Sequence, residues 1–499
     1  MTLRKPLRYA LALTLALLMG LVAAGTIPLP GWRLPLGLLL VASVVAVAVP
    51  LVVPKWRNTL ALFLLWLVLE DLLRKFMGND LRIALVKDAI FLVVLAGLLG
   101  EKRVHKGWSG ATGGAGVAFF LLFAWALVMS VPTGLEDLRL PLSALRLYFF
   151  YAPLVLVGYV LARDIADLEK WVLRFIAIGA GAILVGIVQA FLGPTFLAPE
   201  KETPGLGLLV VIRGTEESGE IFRPSGTFVS SGRYASMAVV IFAIALAATF
   251  LMRPPRRKLA FAGLVLASAG IWISGGRGGV VAAFIILVFS LLAVPISGFR
   301  VAAKKWFFGV AAGIAALAII AFLLPSMFGN RVIWYRSTLD PRSDQTEWTS
   351  RATSYWGDTL EGIEIGGVLG RGTGSESLGR QYILEGGLTT NIGLYRVEGG
   401  YGSIAIELGA VGLILWVAWS LLWVIRQWRC IQAVKGTALA GAGVALFIWI
   451  LFFLFLGIFG GLASFQNYFP NAYFWLLSGI LFSLPAIAKG ADVSPDVAP

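Results

Sequence analysis

Long apolar runs alternate with short polar segments along the whole chain. Fourteen runs read as membrane-spanning helices, near 9–27, 34–53, 59–73, 83–100, 112–131, 147–162, 171–194, 234–252, 259–275, 279–297, 306–325, 401–425, 437–461 and 471–487. A spanning helix needs about 20 predominantly apolar residues. The third and sixth runs are shorter, which implies tilt, a partly re-entrant path or longer true ends. The pattern predicts an all-α polytopic transmembrane bundle of twelve to fourteen helices, forming a single integral membrane domain over 1–499. Only 195–230 and 326–398 are long enough for structure outside the membrane. Loops of that length in a compact protein are usually functional. Short amphipathic helices are expected in the second, for instance over 349–360, where Tyr355, Trp356 and Leu360 can face the membrane or the protein core. No internal repeat stands out, which weighs against an inverted-repeat transporter.

Composition agrees with this class. The chain is 59% hydrophobic and 14% charged, and its mean hydropathy of +0.86 exceeds that of soluble domains. The formal charge of +14 raises nucleic acid as a partner, but its distribution dismisses that reading. With a cytoplasmic N-terminus and alternating sides, 21 Lys and Arg fall in cytoplasmic segments and seven (Arg33, Arg74, Lys75, Arg82, Arg139, Arg146 and Arg277) in short external loops. This is the positive-inside asymmetry. It predicts that both termini are cytoplasmic and both long loops external. The first run follows basic residues and ends in Ala23-Ala24-Gly25, the outline of a cleavable signal peptide. Retaining it satisfies the charge alternation better. His105 is the only histidine and Cys430 the only cysteine, so a His/Cys metal site and a disulfide framework are both excluded by count.

Three places carry chemistry. Arg277 sits in Ser274-Gly275-Gly276-Arg277-Gly278-Gly279 between two apolar runs. Glycines allow close backbone approach, and a guanidinium offers a planar fork of donors suited to phosphate oxygens. An interfacial arginine snorkelling to headgroups reads equally well. Arg223 opens Arg223-Pro224-Ser225-Gly226-Thr227-Phe228, either a ligand contact or a turn with a surface charge. Glu398 opens EGGYGSIAIELGAVGL at the mouth of an apolar run. A carboxylate there is either a general base or a helix-end charge favoured by the dipole. Gly370–Gly374, GRGTG, resembles a phosphate loop, but no strand pattern precedes it, and it reads as a tight turn. There is no GxxxxGK[ST], no DxD pair and no HExxH. Trp334, Tyr335, Trp348, Tyr355, Trp356 and Tyr401 can stack on sugar faces, though interfacial aromatics are common without a ligand.

Together these segments resemble the O-antigen ligase and Wzy-type polysaccharide polymerase superfamily. FRPSGTFVSSGRYASM (222–237) looks like the family's Arg-x-x-Gly-Thr-Phe segment, and ISGGRGGVVAA (273–283) like its Ser-Arg-Gly helix. SRATSYW (350–356) and GVLGRGTG (367–374) are similar to its loop elements. EGGYGSIAIELGAVGL resembles its His-Asn-x-x-Leu…Glu-x-Gly-x-x-Gly-Leu helix start. EDLLRKF (70–76) and VKDAIFL (86–92) look like a subgroup of polymerase-like proteins. The resemblance covers roughly 140–485.

The resemblance implies a metal- and cofactor-independent glycosyltransferase at the outer face of the bacterial inner membrane. Its partners would be an undecaprenyl-pyrophosphate-linked glycan donor, a glycan acceptor, the bilayer, and chain-length regulators or flippases. Arg223 and Arg277 match the diphosphate-binding arginines, and Arg351 a further loop arginine. Trp356 and Tyr401 are the implied glycan contacts. The family's histidine position is occupied by Glu398 and the following asparagine by Gly399. That departure argues against a typical lipid A-core ligase and favours polymerisation of O-antigen or exopolysaccharide repeats. Ligation of a finished glycan, a flippase or transporter of lipid-linked sugars, and a non-catalytic scaffold stay open. A transporter would use buried charges, of which Glu70, Asp71, Lys87 and Asp88 are the main ones.

Overall fold

A computed structural model describes residues 56–76, 82–101, 103–104, 112–193, 196–197, 212–215, 219–298, 330–335, 347–378, 380–383 and 397–492. The runs expected at 9–27, 34–53 and 306–325, most of the 195–211 stretch and His105 lie outside them. The other expected runs are all helical: α1 (Trp56–Phe76), α2 (Arg82–Leu98), α3 (Gly114–Val128) continued by α4 (Ser130–Glu136), α5 (Arg139–Phe149) continued by α6 (Leu154–Leu161), and α7 (Ile165–Leu192). A hairpin of β1 (Ile212–Thr215) and β2 (Gly219–Phe222) follows, antiparallel with Ile212 opposite Phe222. Then come α8 (Ser231–Leu251), α9 (Arg256–Ile273), α10 (Arg277–Ala293), α11 (Glu347–Gly366), α12 (Gly400–Gln432), α13 (Ala438–Leu451) and α14 (Tyr468–Asp492). The protein is an all-α, multi-pass membrane bundle. Among the described residues eight helical stretches are long and apolar enough to cross a bilayer. The remaining expected runs form α1, α2 and α9, where Arg57, Glu70, Asp71, Lys87, Asp88 and the Arg256-Arg257-Lys258 start dilute the apolar run.

Several boundaries differ from the apolar pattern because polar caps and first turns are invisible to hydropathy. α7 begins at Ile165, not 171, since Asp164 caps it by accepting from Asp167 N at 2.8 Å. Ser230 caps α8 through Arg233 N, and Thr437 caps α13 through Ala440 N.

The hub is α8, 94% buried across its apolar window, packed by α7, α9, α10, α13 and α14. α10 lies at the periphery, only 22% buried, with Phe284, Phe289 and Leu292 outward. Outward apolar residues are what a lipid-facing helix requires. A second packing centre joins α12, α14 and α3. Trp416, Trp419 and Trp423 recur at helical spacing on α12, Trp419 stacks on Trp475 with centroids 5.7 Å apart, and Phe119 meets both. Trp423 Nε1 donates to Ser478 Oγ at 3.1 Å. Aromatic pairs of this geometry contribute about 0.5–1.5 kcal/mol each beyond burial.

Helix α11 from the second long loop packs along the first turns of α12. Backbones touch there: a Cβ on Gly362 would run into Gly402, and one on Gly366 into the Ala405 carbonyl. α12 then breaks at Gly409, whose φ of 70° and ψ of −175° only glycine adopts readily. The break releases carbonyls, and the GRGTG segment supplies their partners. Arg371 N donates to Ile406 O at 2.7 Å and Gly372 N to Glu407 O at 3.0 Å, while Ala410 N donates to Gly367 O at 3.0 Å. Backbone groups at membrane depth need such internal partners. The turn expected at GRGTG is therefore a splint for a broken helix.

Candidate functional site

The first locus is the turn between α9 and α10. Ser274 closes α9 by donating to Ile271 O at 2.6 Å and accepting from Gly276 N at 3.0 Å. Gly275 takes a φ of 63°, and a Cβ there would also lie 2.8 Å from Arg223 Cγ. Glycine is thus needed for both conformation and room. Arg223 Nε donates to Ser274 O at 3.2 Å. Arg331 is buried and donates to the carbonyls of Ile273 and Phe222, tying the turn to the end of β2. Trp334 Nε1 donates to Gly275 O at 3.1 Å, and the Arg277 guanidinium lies 3.7 Å from the Trp334 ring centroid. Tyr335 donates to Trp272 O at 2.8 Å and packs on that indole. Burial pushes the Tyr335 phenol up to about 12 and holds the Arg331 guanidinium below its ordinary value. Three arginines thus converge on one glycine turn. Arg277 also begins α10, where the helix dipole is positive and a cation is unfavourable unless an anion joins it.

The segment 223–233 runs from this turn into a buried ionic network. Asp71 accepts from Arg74 at 3.1 Å, from Arg233 at 2.8 Å and from Val229 N at 3.2 Å. Lys87 pairs with Glu70, and Asp88 with Arg146 and Tyr151. Lys87 and Arg233 both face the Tyr468 ring. The charges that kept a transporter in view are therefore paired among α1, α2, α5 and α8. Arg74 and Lys75, assigned to an external loop by charge counting, are buried inside this network.

The second locus is the mouth of α12. Asp358 of α11 accepts from Glu398 N at 3.0 Å and Gly399 N at 2.8 Å through one oxygen, Oδ2. It thereby satisfies helix-start donors from outside the helix. The Glu398 side chain is exposed at this mouth. Tyr401 is half-buried and donates to Leu454 O at 3.2 Å, within the π-helical turn 452–457, which α10 also touches. Helix α10 and the mouth of α12 thus pack on one element. Two helical turns deeper, Glu407 is fully buried, accepting from Tyr148 OH at 2.9 Å and Glu376 N at 3.0 Å.

Of the residues singled out in sequence, Arg223 and Arg277 meet at one turn, and Glu398 and Tyr401 open α12. Trp356 lies on α11, 62% exposed. Arg351 lies in α11 seven residues before Asp358. Tyr355 is half-buried and packs edge-on against Phe459. Trp334 and Tyr335 are hydrogen-bonded into the arginine turn, and one face of Trp334 is covered by Arg277. Sequence reading missed Arg331, Asp358 and Lys75. Arg331 directly precedes the Val-Ile-Trp-Tyr stretch whose aromatics it works with, a visible but unspecific signal. Asp358 and Lys75 carry no local signature, since their partners are 40 or more positions away.

These features define a multi-pass membrane protein with an arginine-rich turn and a carboxylate-bearing helix mouth. Residues 262–417 match the family described as O-antigen ligase, which supports the O-antigen ligase and Wzy superfamily for this chain. The matched stretch contains Arg277, Arg331, Arg351, Asp358, Glu398 and Tyr401 but stops short of Arg223. No curated protein matches the chain.

Proposed function

We propose that the chain polymerises undecaprenyl-pyrophosphate-linked oligosaccharide repeats at the outer face of the inner membrane, with 195–230 and 326–398 on that face. The convergence of Arg223 and Arg277 on the turn at Gly275 is the observation that carries this reading. Arginine forks suit the oxygens of a departing diphosphate. In the proposed step the acceptor hydroxyl oxygen attacks the donor's anomeric carbon and gives its proton to the Glu398 carboxylate. The bond to the diphosphate oxygen breaks, and its electron pair leaves on the diphosphate, held by Arg223 and Arg277. Arg351 would add a loop cation, and Trp356 and Tyr401 would border the glycan. The exposure of Glu398 supports its access to an acceptor, and Asp358 fixes the backbone from which it projects.

Transfer of a finished glycan to lipid A-core or another acceptor is the second reading, favoured by the description of the matched family. Deletion of the gene distinguishes the two. Loss of a polymerase leaves single-repeat glycans, whereas loss of a ligase leaves long chains on undecaprenyl pyrophosphate. Purified protein that moves lipid-linked sugar across vesicles without lengthening or transferring it overturns both.

A further inference from the structure

Lys75 has an environment that neither reading explains. It is 3% exposed on α1, and its ammonium donates to Ser225 Oγ at 2.8 Å and to Gly226 O at 2.7 Å. The Asp71 carboxylate one turn away acts on it electrostatically, but both of its hydrogen bonds go to the Ser225–Gly226 turn. A lysine buried this way is expensive, and in a membrane bundle such a group marks function by default. A neutral amide could make the same two contacts at lower desolvation cost. What distinguishes Lys75 is its target, the turn that begins with Arg223.

The same turn is gripped from other sides. Gln189 of α7 accepts from Ser225 N at 3.0 Å and Gly226 N at 2.7 Å through one carbonyl oxygen. Asp71, one turn before Lys75 on α1, accepts from Val229 N and Arg233. Tyr234 packs against Gly226. Side chains from α1 and α7 thus take up the polar groups at Ser225, Gly226 and Val229, and leave Arg223 at the outer end of a fixed strut. At that end Arg223 Nε donates to Ser274 O and its side chain lies against Gly275, so the strut behind it sets the point from which the guanidinium is aimed.

We propose that Lys75 is a positioning residue: with Asp71 and Gln189 it clamps the Ser225–Gly226 turn so that Arg223 and Arg277 share one anionic ligand, of the diphosphate class. This rests on the proposed function for the ligand, but the clamp itself is independent of it. The cation, rather than an amide, holds the turn because its hydrogen bonds are charge-assisted and stronger. It also adds positive potential behind the arginines in a low-dielectric setting.

The test uses the purified full chain in detergent, with Lys75→Met, Lys75→Arg and Ser225→Ala. Amide hydrogen exchange reports the clamp without any ligand. Lys75→Met should raise exchange at Ser225, Gly226 and Val229 at least tenfold while α8 and α9 keep their protection. Titration with undecaprenyl pyrophosphate should show affinity falling about tenfold or more in Lys75→Met, by a few-fold in Ser225→Ala, and recovering in Lys75→Arg. Unchanged exchange at the turn overturns the clamp. Faster exchange with wild-type affinity overturns its role in aiming Arg223. If Lys75→Met fails to fold, Ser225→Ala carries both measurements, and its wild-type exchange and affinity are equally fatal. A wild-type chain that binds no undecaprenyl pyrophosphate refutes the proposed function, while the exchange result still decides the clamp.

Discussion

Arg277 and Glu398 separate what a side chain does for a ligand from what it does for the fold. Arg277 is held face-on by Trp334 at the start of α10, where the dipole opposes its charge. A residue kept there only as an interfacial anchor would tolerate lysine. Arg277→Ala and Arg277→Lys are both expected to abolish product while the protein stays inserted and monodisperse, because an ammonium cannot reproduce a bidentate fork. Near-normal turnover in the lysine variant, measured on lipid-linked repeats, would return Arg277 to the snorkelling reading. The two carboxylates of α12's entry sort in the same way. Glu407 spends both oxygens on Tyr148 and the Glu376 amide, so Glu407→Gln should lower the thermal midpoint by loosening the 372–376 segment. Glu398 is exposed, so Glu398→Gln should leave the midpoint unchanged and reduce turnover by about 10²–10⁴-fold. Full activity in the Glu398 variant, beside a dead but stable Glu407 variant, would transfer the proton-accepting role inward. Glu398→His is the companion, since it installs the residue type the family places there, and partial activity would support a shared role.

At the scale of elements, the break in α12 is the feature on which the site's geometry depends. A straight helix would carry Glu398 and Tyr401 along one axis with Trp416 and Trp423. The break at Gly409 instead lets α11 and the 367–374 splint dock where α12 begins. Gly409→Ala must adopt a backbone conformation costing about 1–3 kcal/mol and drives its methyl into the Val368–Gly370 backbone. A clear fall in the thermal midpoint with loss of turnover is expected, followed by fluorescence-detected gel filtration. Wild-type stability in the Gly409→Ala variant would show that the splint adapts. Much of this scale was legible beforehand: apolar runs located the helices, and Gly-Arg-Gly patterns located the turn that receives Arg223. Caps such as Asp164 were not legible as starts, because hydropathy registers only the apolar run after them. The helix over 347–366 was foreseen in part from Tyr355, Trp356 and Leu360, yet its buried seam is made of Gly362 and Gly366, which no amphipathic pattern marks. Asp358 and Lys75 act on segments remote in sequence, so only the fold could pair them with Glu398 and Ser225.

Across the whole molecule, the orientation rests on where the positive charges lie, and the structure sharpens that count. Arg74 and Lys75 leave the external tally because they are buried in the ionic network, and a charge inside the bundle does not act as a loop charge. Arg146, paired with Asp88 in the same network and inside the 139–161 span, leaves the tally as well. The asymmetry between 21 cytoplasmic and seven external residues therefore becomes 21 against four, seven less these three. Under this orientation α11 faces outward and the end of α10 faces the cytoplasm. Ser297 would be a poor reporter of that end, since it is fully buried, with its hydroxyl bonded to Val294 O and its carbonyl accepting from Gly436 N. Ile296, 63% exposed, is the better site, and Ser354 on α11 is exposed as well. The native Cys430 is buried and should contribute little background. A membrane-impermeant maleimide added to intact spheroplasts is expected to label Ser354→Cys and to reach Ile296→Cys only after permeabilisation. The opposite pattern would place α11 and Glu398 on the cytoplasmic side. A donor displayed at the outer face would then be out of reach, and the polymerase and ligase readings would fall together.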